Sequence, residues 1–421
     1  MLDEENITQN VAPGGDEYYE ETVVEYVDNR RRRTILVVAL VLLVLLLSSV
    51  GYFAVRSMQP AGAPTASELP TGISWIRSLY SFGPSTDQAL VSPTATAIGS
   101  DGTIWTLASK HYIVGFSPRG TVSRIIAPAI GRQMGQVTSL EGIAVGDDGS
   151  IYVSDFGNNA VDVFSPQGQF LRSWGVQLPV VLSVKGGRVA VAAANGIGVF
   201  DTQGKLINKW ASRGSKKDQV NLPHGILIGA DNNIYVSDTQ NRRVKAYKPN
   251  GELMWMIGDL NRTGANLAST QTSVPVVNGI PQNFLLPSGM TQDGAGRLLI
   301  VDAFTFEVVV LDPTHQGRVV ARYGTEGQQD GQFAYPTGIS YDKDRDWIAV
   351  ADTTNNRVQI MRIPGTGGSA VRRGLKSLTD TPIWLCSIPL LLLLLAVFLM
   401  RNNRRTERED ASSDDASVQT E

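Results

Sequence analysis

Apolar and polar residues alternate along this chain in a unit that returns six times. Each unit reads as an apolar strand, a polar turn, a second apolar strand, a polar loop and a third strand of the Val-x-x-Phe kind. The second strand of the six units is found at 104–107, 151–155, 189–192, 234–238, 298–302 and 348–352. These copies are spaced by roughly 49 residues on average, a period typical of the blades of a β-propeller. The pattern therefore predicts an all-β, six-bladed fold.

Each unit predicts a blade of four strands. In the second unit, runs of apolar, β-branched and aromatic residues and alternating polarity predict strands at 142–145, 151–154, 161–164 and 169–175. Asp-Gly and Ser-Pro-x-Gly sequences between these strands supply the backbone geometry of tight turns. The closing turn before the outer strand recurs at 117–120, 201–204 and 248–251.

The two ends of the repeat array predict how the ring closes. The last unit stops after its third strand, at 358–362, and has no outer strand of its own. Upstream of the first unit, residues 73–83 resemble the outer strand at 170–175. We expect this N-terminal strand to complete the last blade, which hides two sheet edges that would otherwise favour aggregation.

Three short motifs resemble the NHL repeat. They are Pro-x-Gly-Ile, a small residue followed by Asp, and Asn-x-Arg-Val, found at 223–226, 237–238, 241–244, 336–339, 351–352 and 355–358. The resemblance covers roughly residues 72 to 364 and is clearest in the second, fourth and sixth units. It implies a six-bladed β-propeller that most often serves as a binding platform, whereas a minority of related propellers are metal-dependent enzymes.

Two apolar runs flank the repeats. Residues 34–55 and 383–400 carry no charge, and each is long enough to suggest a transmembrane helix. The alternatives are a cleaved signal peptide for the first run and a buried helix for the second. The first run is too long for a signal peptide, and a propeller offers nothing that would bury the second. We therefore expect two transmembrane helices.

Arginines beside the two runs predict the orientation. Four arginines at 30–33 precede the first run, and another four follow the second within residues 401–408. Cationic residues hold short tails in the cytoplasm. We expect a double-pass cell-membrane protein with both termini cytoplasmic and an extracytoplasmic propeller. Its predicted segments are a tail at 1–33, a span at 34–55, a linker at 56–71, the propeller at 72–364, a linker at 365–382, a span at 383–400 and a tail at 401–421.

Composition adds little chemistry. The tail at 1–33 holds nine Asp and Glu against four Arg, and such polar, acidic tails are typical of disordered segments. Cys386, the only cysteine, lies in the second apolar run, so the repeat region has no disulfide. A region of this size buries enough apolar surface to fold without one.

The start of each inner strand predicts a ring of side chains at the mouth of the central channel. The equivalent positions in the six units are Thr94, Glu141, Val180, His224, Ser288 and Thr337. One carboxylate is too few for a Ca²⁺ cage. The other two histidines, His111 and His315, fall in different loops, so the three cannot form a zinc site. We expect no metal and no cofactor.

Four aspartates recur at the end of the second strand. Asp155, Asp238, Asp302 and Asp352 each precede a valine of the third strand by six residues. They could form a ring of acidic ligands, or each could cap its own loop by accepting backbone N–H bonds. Repetition favours the structural role, because blades repeat scaffolding and rarely repeat an active site.

The leading functional hypothesis is a non-catalytic binding or assembly platform for an envelope protein or polymer. The alternative is a metal-dependent hydrolase or lyase acting at the channel mouth. A long connection between the fourth and fifth blades, about residues 259–285, is predicted to form one wall of the binding surface. Basic residues at 216–217 and 242–245 are interpreted as a solvated rim, so no nucleic-acid partner is expected. The candidate binding residues are Glu141, His224, Asn241, Arg242, Arg262, Phe284, Phe304 and Phe306.

Overall fold

A computed structural model describes residues 40, 43–44, 46–48, 67–68, 72–258 and 275–367. Contacts divide the chain into two units, one of Ala63–Asp380 and the other of Met1–Gly62 with Thr381–Glu421. In the second unit, the described residues are helical. Within the described part of the chain, no helix has the length and apolar character that a membrane crossing requires. The predicted span at 383–400, most of that at 34–55 and both tails lie outside the described residues.

The larger unit is a ring of six antiparallel sheets. Five of them have four strands in chain order from the inside outward, and the sixth takes its outer strands from the N-terminal side of the repeats. Blade 1 consists of Thr96–Ile98, Ile104–Ala108, Tyr112–Phe116 and Val122–Ile126. Blade 2 consists of Leu140–Val145, Ile151–Asp155, Ala160–Phe164 and Phe170–Gly175. Blade 3 consists of Pro179–Lys185, Arg188–Ala193, Gly196–Asp201 and Leu206–Trp210.

The other three blades repeat this order. Blade 4 consists of Gly225–Ile228, Ile234–Asp238, Arg243–Tyr247 and Leu253–Gly258. Blade 5 consists of Pro287–Gln292, Leu298–Asp302, Glu307–Asp312 and Arg318–Tyr323. Blade 6 consists of Pro336–Asp342, Trp347–Asp352, Arg357–Arg362 and, from the N-terminal side, Ser74–Leu79. Short elements lie at Ser67–Glu68, Val276–Val277 and Ile280–Pro281 (strands), and at Thr86–Gln88, Thr239–Asn241 and Pro313–His315 (3-10 helices).

The N-terminal strand closes the ring, as the sequence predicted. Ser74–Leu79 pairs antiparallel with Arg357–Arg362, with Ser74 opposite Arg362 and Leu79 opposite Val358. The two-residue strand Ser67–Glu68 extends the same sheet on its outer side. Both ends of the array therefore meet in blade 6, which explains why the last repeat lacks an outer strand of its own.

The hydrophobic core lies between the blades. Six clusters of buried side chains fill the six interfaces; the cluster between blades 1 and 2, for example, joins Trp105 and Ile126 to Val153 and Phe164. Burying one such side chain stabilises the fold by about 1.5–3 kcal/mol. Each blade thus depends on both of its neighbours.

Strand direction assigns every loop to one of two faces. Inner strands begin, and second strands end, on the same side of the ring, so inter-blade connections and the loops after the second strand share that side. We call it the mouth face. The tight turns inside each hairpin, such as the one in which the Gly168 N–H donates to the Ser165 carbonyl, lie on the opposite face.

Candidate functional site

The mouth face contains a cavity of about 250 Å³ at the axis of the ring. All six inner strands contribute to its wall. The predicted ring positions Thr94, Glu141, Val180, His224, Ser288 and Thr337 all line it. The sequence located these residues correctly because the start of each inner strand is a local feature of its repeat.

His224 is the one imidazole in the cavity wall. Its Nδ1 lies 3.0 Å from the Leu222 carbonyl oxygen, which can only accept, so Nδ1 carries the proton in the neutral ring. Nε2 then keeps a lone pair. Enclosure by the cavity wall lowers the pKa of His224, although the Leu222 carbonyl and the charge of Glu141 oppose that shift. His224 is therefore a neutral hydrogen-bond acceptor at physiological pH.

Glu141 is the one carboxylate in the wall. Its Oε1 lies 3.1 Å from Lys110 Nζ and accepts a hydrogen bond of 3.2 Å from the Ser139 hydroxyl. In the neighbouring blades 6 and 1, the Thr337 hydroxyl donates to the Thr94 carbonyl at 2.8 Å. Apolar side chains of several inner strands form much of the remaining wall. The cavity therefore combines apolar surface with a few acceptors that suit a hydrogen-bond donor.

The described residues do not assemble a metal centre at the mouth. No group of three or more His, Cys, Asp or Glu side chains among them has a geometry that could hold a metal ion. His111 lies in the loop after the second strand of blade 1, with Nδ1 2.7 Å from the Ser109 carbonyl oxygen. His315 lies on the opposite face, where it pairs with Asp312 at 2.6 Å.

The four recurring aspartates accept backbone N–H bonds from the loops, which is the structural role that their repetition in the sequence indicated. We call them the capping aspartates. Asp155 accepts N–H bonds from Gly157 and Asn158 in its own loop, at 3.1 Å each. It also accepts bonds from Thr138 N (2.9 Å) and Ser139 N (3.0 Å), in the connection that enters the blade. The capping aspartates thus tie two loops of one blade together, and all four are fully buried.

Two residues of the predicted basic rim are buried. Arg243 is 4% and Lys245 is 0% exposed. Lys245 Nζ donates to the Lys217 carbonyl at 2.9 Å, whereas the side chains of Lys216 and Lys217 are exposed. The interpretation of 242–245 as solvated is therefore wrong for these two cations, which hold the connection entering blade 4.

A pattern that the sequence analysis missed shapes four of the inter-blade connections. A glycine is followed five residues later by a glutamine. The side-chain oxygen of this glutamine folds back against the glycine and accepts the backbone N–H of the residue three positions before the glutamine. A Cβ on Gly131, for example, would lie 2.1 Å from Gln136 Oε1. The four pairs are Gly83 and Gln88, Gly131 and Gln136, Gly214 and Gln219, and Gly327 and Gln332. The recurring Gly-x4-Gln spacing in the sequence could have predicted this turn.

Two exposed aromatic side chains stand beside the cavity. Phe304 is 52% and Tyr335 is 38% exposed, and their ring centroids are 5.8 Å apart. Tyr335 has a φ of 58°, which is unusual for a bulky residue and costs about 1–3 kcal/mol. The predicted candidate Phe306 packs instead against the core between blades 5 and 6.

The connection from blade 4 to blade 5 differs from the predicted wall. Phe284 is 1% exposed and packs in the core between these blades, which corrects its assignment to the binding surface. Gln282 is buried and exchanges hydrogen bonds with Val319 of the outer strand of blade 5. Residues 275–284 therefore lie against blade 5. Arg262, with the rest of 259–274, lies outside the described residues.

Asn241 and Arg242 occupy the loop after the second strand of blade 4. The Asn241 amide donates to the Gly214 carbonyl at 2.9 Å and to both oxygens of Asp238. Arg242 has a φ of 54°, and its N–H donates to the Thr239 carbonyl. The hydrogen bonds of the Asn241 side chain therefore stabilise the fold. The Arg242 side chain is half-buried at the mouth face.

Comparison with known proteins agrees with this geometry. The NHL repeat model matches residues 138–164 and 333–361. The chain is 31% identical over 145 residues to the E3 ubiquitin-protein ligase TRIM71 of Gallus gallus, covering 34% of this chain and 12% of that protein. It therefore spans about an eighth of the length of that relative.

Two solved structures are similar to this chain. A structural-genomics protein of unknown function from Bacteroides thetaiotaomicron has a TM-score of 0.50 at 19% identity, covering 71% of this chain and 74% of that one. Catalytically inactive virginiamycin B lyase from Staphylococcus aureus has a TM-score of 0.44 at 15% identity, covering 64% and 80%. At such identities the likeness concerns the fold.

Proposed function

Since this chain is an NHL-repeat β-propeller, we propose that it is a membrane-anchored, extracytoplasmic platform whose mouth face binds a protein partner without catalysing a reaction. NHL-type propellers are common protein-binding scaffolds, and this one presents a cavity with hydrogen-bond acceptors beside exposed aromatic side chains. The alternative of a metal-dependent hydrolase or lyase is not supported by the wall of this cavity, which supplies one carboxylate and one imidazole.

The distribution of exposed apolar side chains carries this proposal. Among residues 72–258 and 275–367, large exposed apolar side chains occur on outer strands, in the short strand pair beside the outer strand of blade 5, or on the mouth face. Those of the mouth face are Tyr80, Val91, Ile130, Met134, Phe304 and Tyr335. Exposed apolar surface rimmed by polar groups is typical of protein interaction sites.

The cavity adds a point of specificity. Its volume of about 250 Å³ is below the roughly 300–1,000 Å³ of small-molecule sites. A volume of this size suits one inserted side chain of a partner. Its acceptors, His224 Nε2 and the Glu141 carboxylate, favour a side chain that donates hydrogen bonds, while Phe304 and Tyr335 supply apolar area around it.

The apolar runs at 34–55 and 383–400 support the membrane anchoring. Both are uncharged, and arginines flank their outer ends. We infer that the partner is an envelope protein rather than a polymer, because this face exposes aromatic and aliphatic side chains such as Phe304, Tyr335 and Met134.

Site-specific photo-cross-linking in living cells tests the binding face. A photoreactive amino acid is introduced into the full-length protein in place of Phe304 or Met134. We expect a discrete, protease-sensitive adduct with one protein from both positions, because both side chains are exposed on the mouth face, at 52% and 85%.

Leu206 and Ile207 are the matched controls. They are as apolar and as exposed, at 51% and 57%, but lie on the outer strand of blade 3. Adducts from these two positions with none from the mouth face would contradict the proposal. Adducts whose added mass is removed by a polysaccharide-degrading enzyme would show a polymer partner instead.

A further inference from the structure

Blade 2 lacks a positive charge at a place where the other three blades with a capping aspartate have one. In blade 4, Arg243 Nε lies 2.6 Å from Asp238 Oδ2. The other end of the same guanidinium donates to the carbonyls of Lys216 (2.7 Å) and Gln219 (2.9 Å) in the entering connection. A buried cation thus joins the aspartate to two main-chain oxygens.

Blade 6 repeats this arrangement. Arg357 Nε lies 2.9 Å from Asp352 Oδ2, and its NH2 donates to the carbonyls of Gln329 (2.8 Å) and Gln332 (3.0 Å). Gln359, two residues further along the third strand, donates to the same Gln332 carbonyl and to Asp352. The equivalent of Gln359 in blade 4 is Lys245.

Blade 5 supplies its positive charge from another strand. Glu307 stands at the position of the arginine, but Arg322 of the outer strand lies 2.8 Å from Glu307. Burial raises the pKa of Asp302, and the charge of Arg322 is one of the effects that lower it again. A guanidinium therefore acts on the capping aspartate in this blade too.

The entering connection of blade 2 has the conformation of those in blades 4 and 6. Gln136 N donates to the Gln133 carbonyl at 2.9 Å, and Gln133 N donates to Gln136 Oε1 at 3.0 Å. Ile130 and Val137 form the parallel bridge that Arg213 and Val220 form in blade 4. The carbonyls of Gln133 and Gln136 thus correspond to those that bind a guanidinium elsewhere.

The third strand of blade 2 offers no cation to these carbonyls. Ala160 stands at the arginine position and Asp162 at the position of Lys245 and Gln359. Asp155 is 0% and Asp162 is 3% exposed, and Asp162 Oδ2 has no hydrogen-bond partner. Where other blades place a guanidinium, blade 2 therefore has two buried carboxylates.

The pKa of Asp162 reflects this lack of compensation. Burial raises it to about 6, a hydrogen bond from Ser173 opposes the shift, and the negative charge of Asp155 adds to it. No basic side chain of the described residues is among these causes. A buried carboxylate with an unpartnered oxygen and no counter-charge beside it destabilises the fold.

We propose that a hard divalent cation of the Ca²⁺ kind binds in blade 2, held by the carboxylates of Asp155 and Asp162 and the main-chain carbonyls of Gln133 and Gln136. These are oxygen donors only, as Ca²⁺ prefers, and water completes its six to eight ligands. The exposed hydroxyl of Ser173, which bonds to Asp162, marks the side open to solvent. The cation then ties the connection to the blade as the arginines do in blades 4 and 6. The site lies at the rim of the mouth face, in the connection that carries Met134, and outside the central cavity. It contributes to the stability of the fold, whether or not the binding function proposed above holds.

Thermal unfolding of the purified full-length protein in detergent tests this site at pH 7.5. After removal of divalent ions with EDTA, CaCl₂ is expected to raise the melting temperature with saturation at one ion per chain, by roughly 5 °C at a hundredfold excess over Kd. Calorimetric titration gives the stoichiometry. KCl at equal ionic strength serves as the control for screening.

Two variants distinguish the site from other sources of stabilisation. Asp162→Asn removes one ligand and the buried charge, so we expect a higher melting temperature without Ca²⁺ and no response to it. Ala160→Arg introduces the missing guanidinium and is expected to have the same two effects. Asp330→Asn, an exposed carboxylate in the equivalent connection of blade 6, keeps the full response.

Several results would overturn the assignment. These are an unchanged melting temperature of the wild type in CaCl₂, a Ca²⁺ response that survives in Asp162→Asn, or equal stabilisation by KCl. Stability that changes only with pH, through the protonation of Asp162, would likewise show that no cation is needed.

Discussion

The capping aspartates show how much of this fold depends on single carboxylates. Asp352 accepts bonds from Ala334 N at 2.7 Å, from the Asn355 amide at 2.9 Å and from Arg357 Nε at 2.9 Å. Its short side chain reaches groups on two loops and one strand at once. Removing one partner of a buried ion pair lowers the free energy of unfolding more than removing one partner of an exposed pair, because the remaining buried charge is left without compensation.

Asp352→Ala is therefore expected to lower the free energy of unfolding by about 3–5 kcal/mol, since Arg357, only 2% exposed, loses its partner. Chemical denaturation followed by tryptophan fluorescence measures the change. Asp330→Ala is the control: this carboxylate is 43% exposed and 3.8 Å from Arg357, so its loss should cost less than about 1 kcal/mol. Equal costs for the two variants would refute the structural role of Asp352.

For single residues, the sequence correctly predicted the positions of side chains that are determined by the strand to which they belong. The six mouth positions follow from the start of each inner strand, and all six line the cavity. The positions of Arg243, Lys245 and Phe284 depend on which segment packs over them. Strand alternation assigns a residue to a face of its blade, but it does not reveal that a connection covers that face.

Among the elements, four of the inter-blade connections have a regular, shared conformation that their turn-like composition did not predict. Each glycine–glutamine pair folds its connection into one compact turn, as when Gln332 Oε1 accepts the Gln329 N–H at 3.1 Å. Turn composition alone predicts a loop, whereas this shape arises because a side chain replaces a backbone acceptor. The Gly-x4-Gln spacing occurs in all four connections, so it could have predicted their shared conformation from the sequence.

The closing strand is the element whose loss has the largest expected effect. It buries Ile73, Trp75 and Leu79, at 0%, 9% and 5% exposure. At about 1.5–3 kcal/mol for each side chain, their burial is comparable with the total stability of a typical domain, about 5–15 kcal/mol. Deletion of residues 73–82 should therefore abolish cooperative thermal unfolding, measured by circular dichroism.

A deletion of the same length in the linker, residues 57–66, is the control and should leave the transition intact. If the protein without 73–82 melts cooperatively at the same temperature as the intact chain, the ring does not depend on its N-terminal strand. Aggregation of the shortened protein, relieved by adding a peptide of residues 73–82, would support the idea that an open sheet edge causes it.

For the whole molecule, the proposed membrane anchoring raises the question of which side of the membrane the propeller would occupy. The arginines at 30–33 and within 401–408 favour cytoplasmic tails, and the propeller between them is long enough to be translocated regardless of its own charge. The binding proposal depends on this orientation, because an envelope partner is reachable only from outside.

Cysteine labelling tests the orientation. In a chain with Cys386→Ala, Leu206→Cys places a thiol on the outer strand of blade 3, where the native side chain is 51% exposed. A membrane-impermeant maleimide should label this thiol in intact cells, whereas Ser417→Cys in the C-terminal tail should be labelled only after lysis. The reverse result would place the propeller in the cytoplasm. The exposed lysines at 216–217 could then contact nucleic acid, and the proposal of an envelope partner would be wrong. Labelling of both thiols in intact cells would show that one apolar run does not span the membrane.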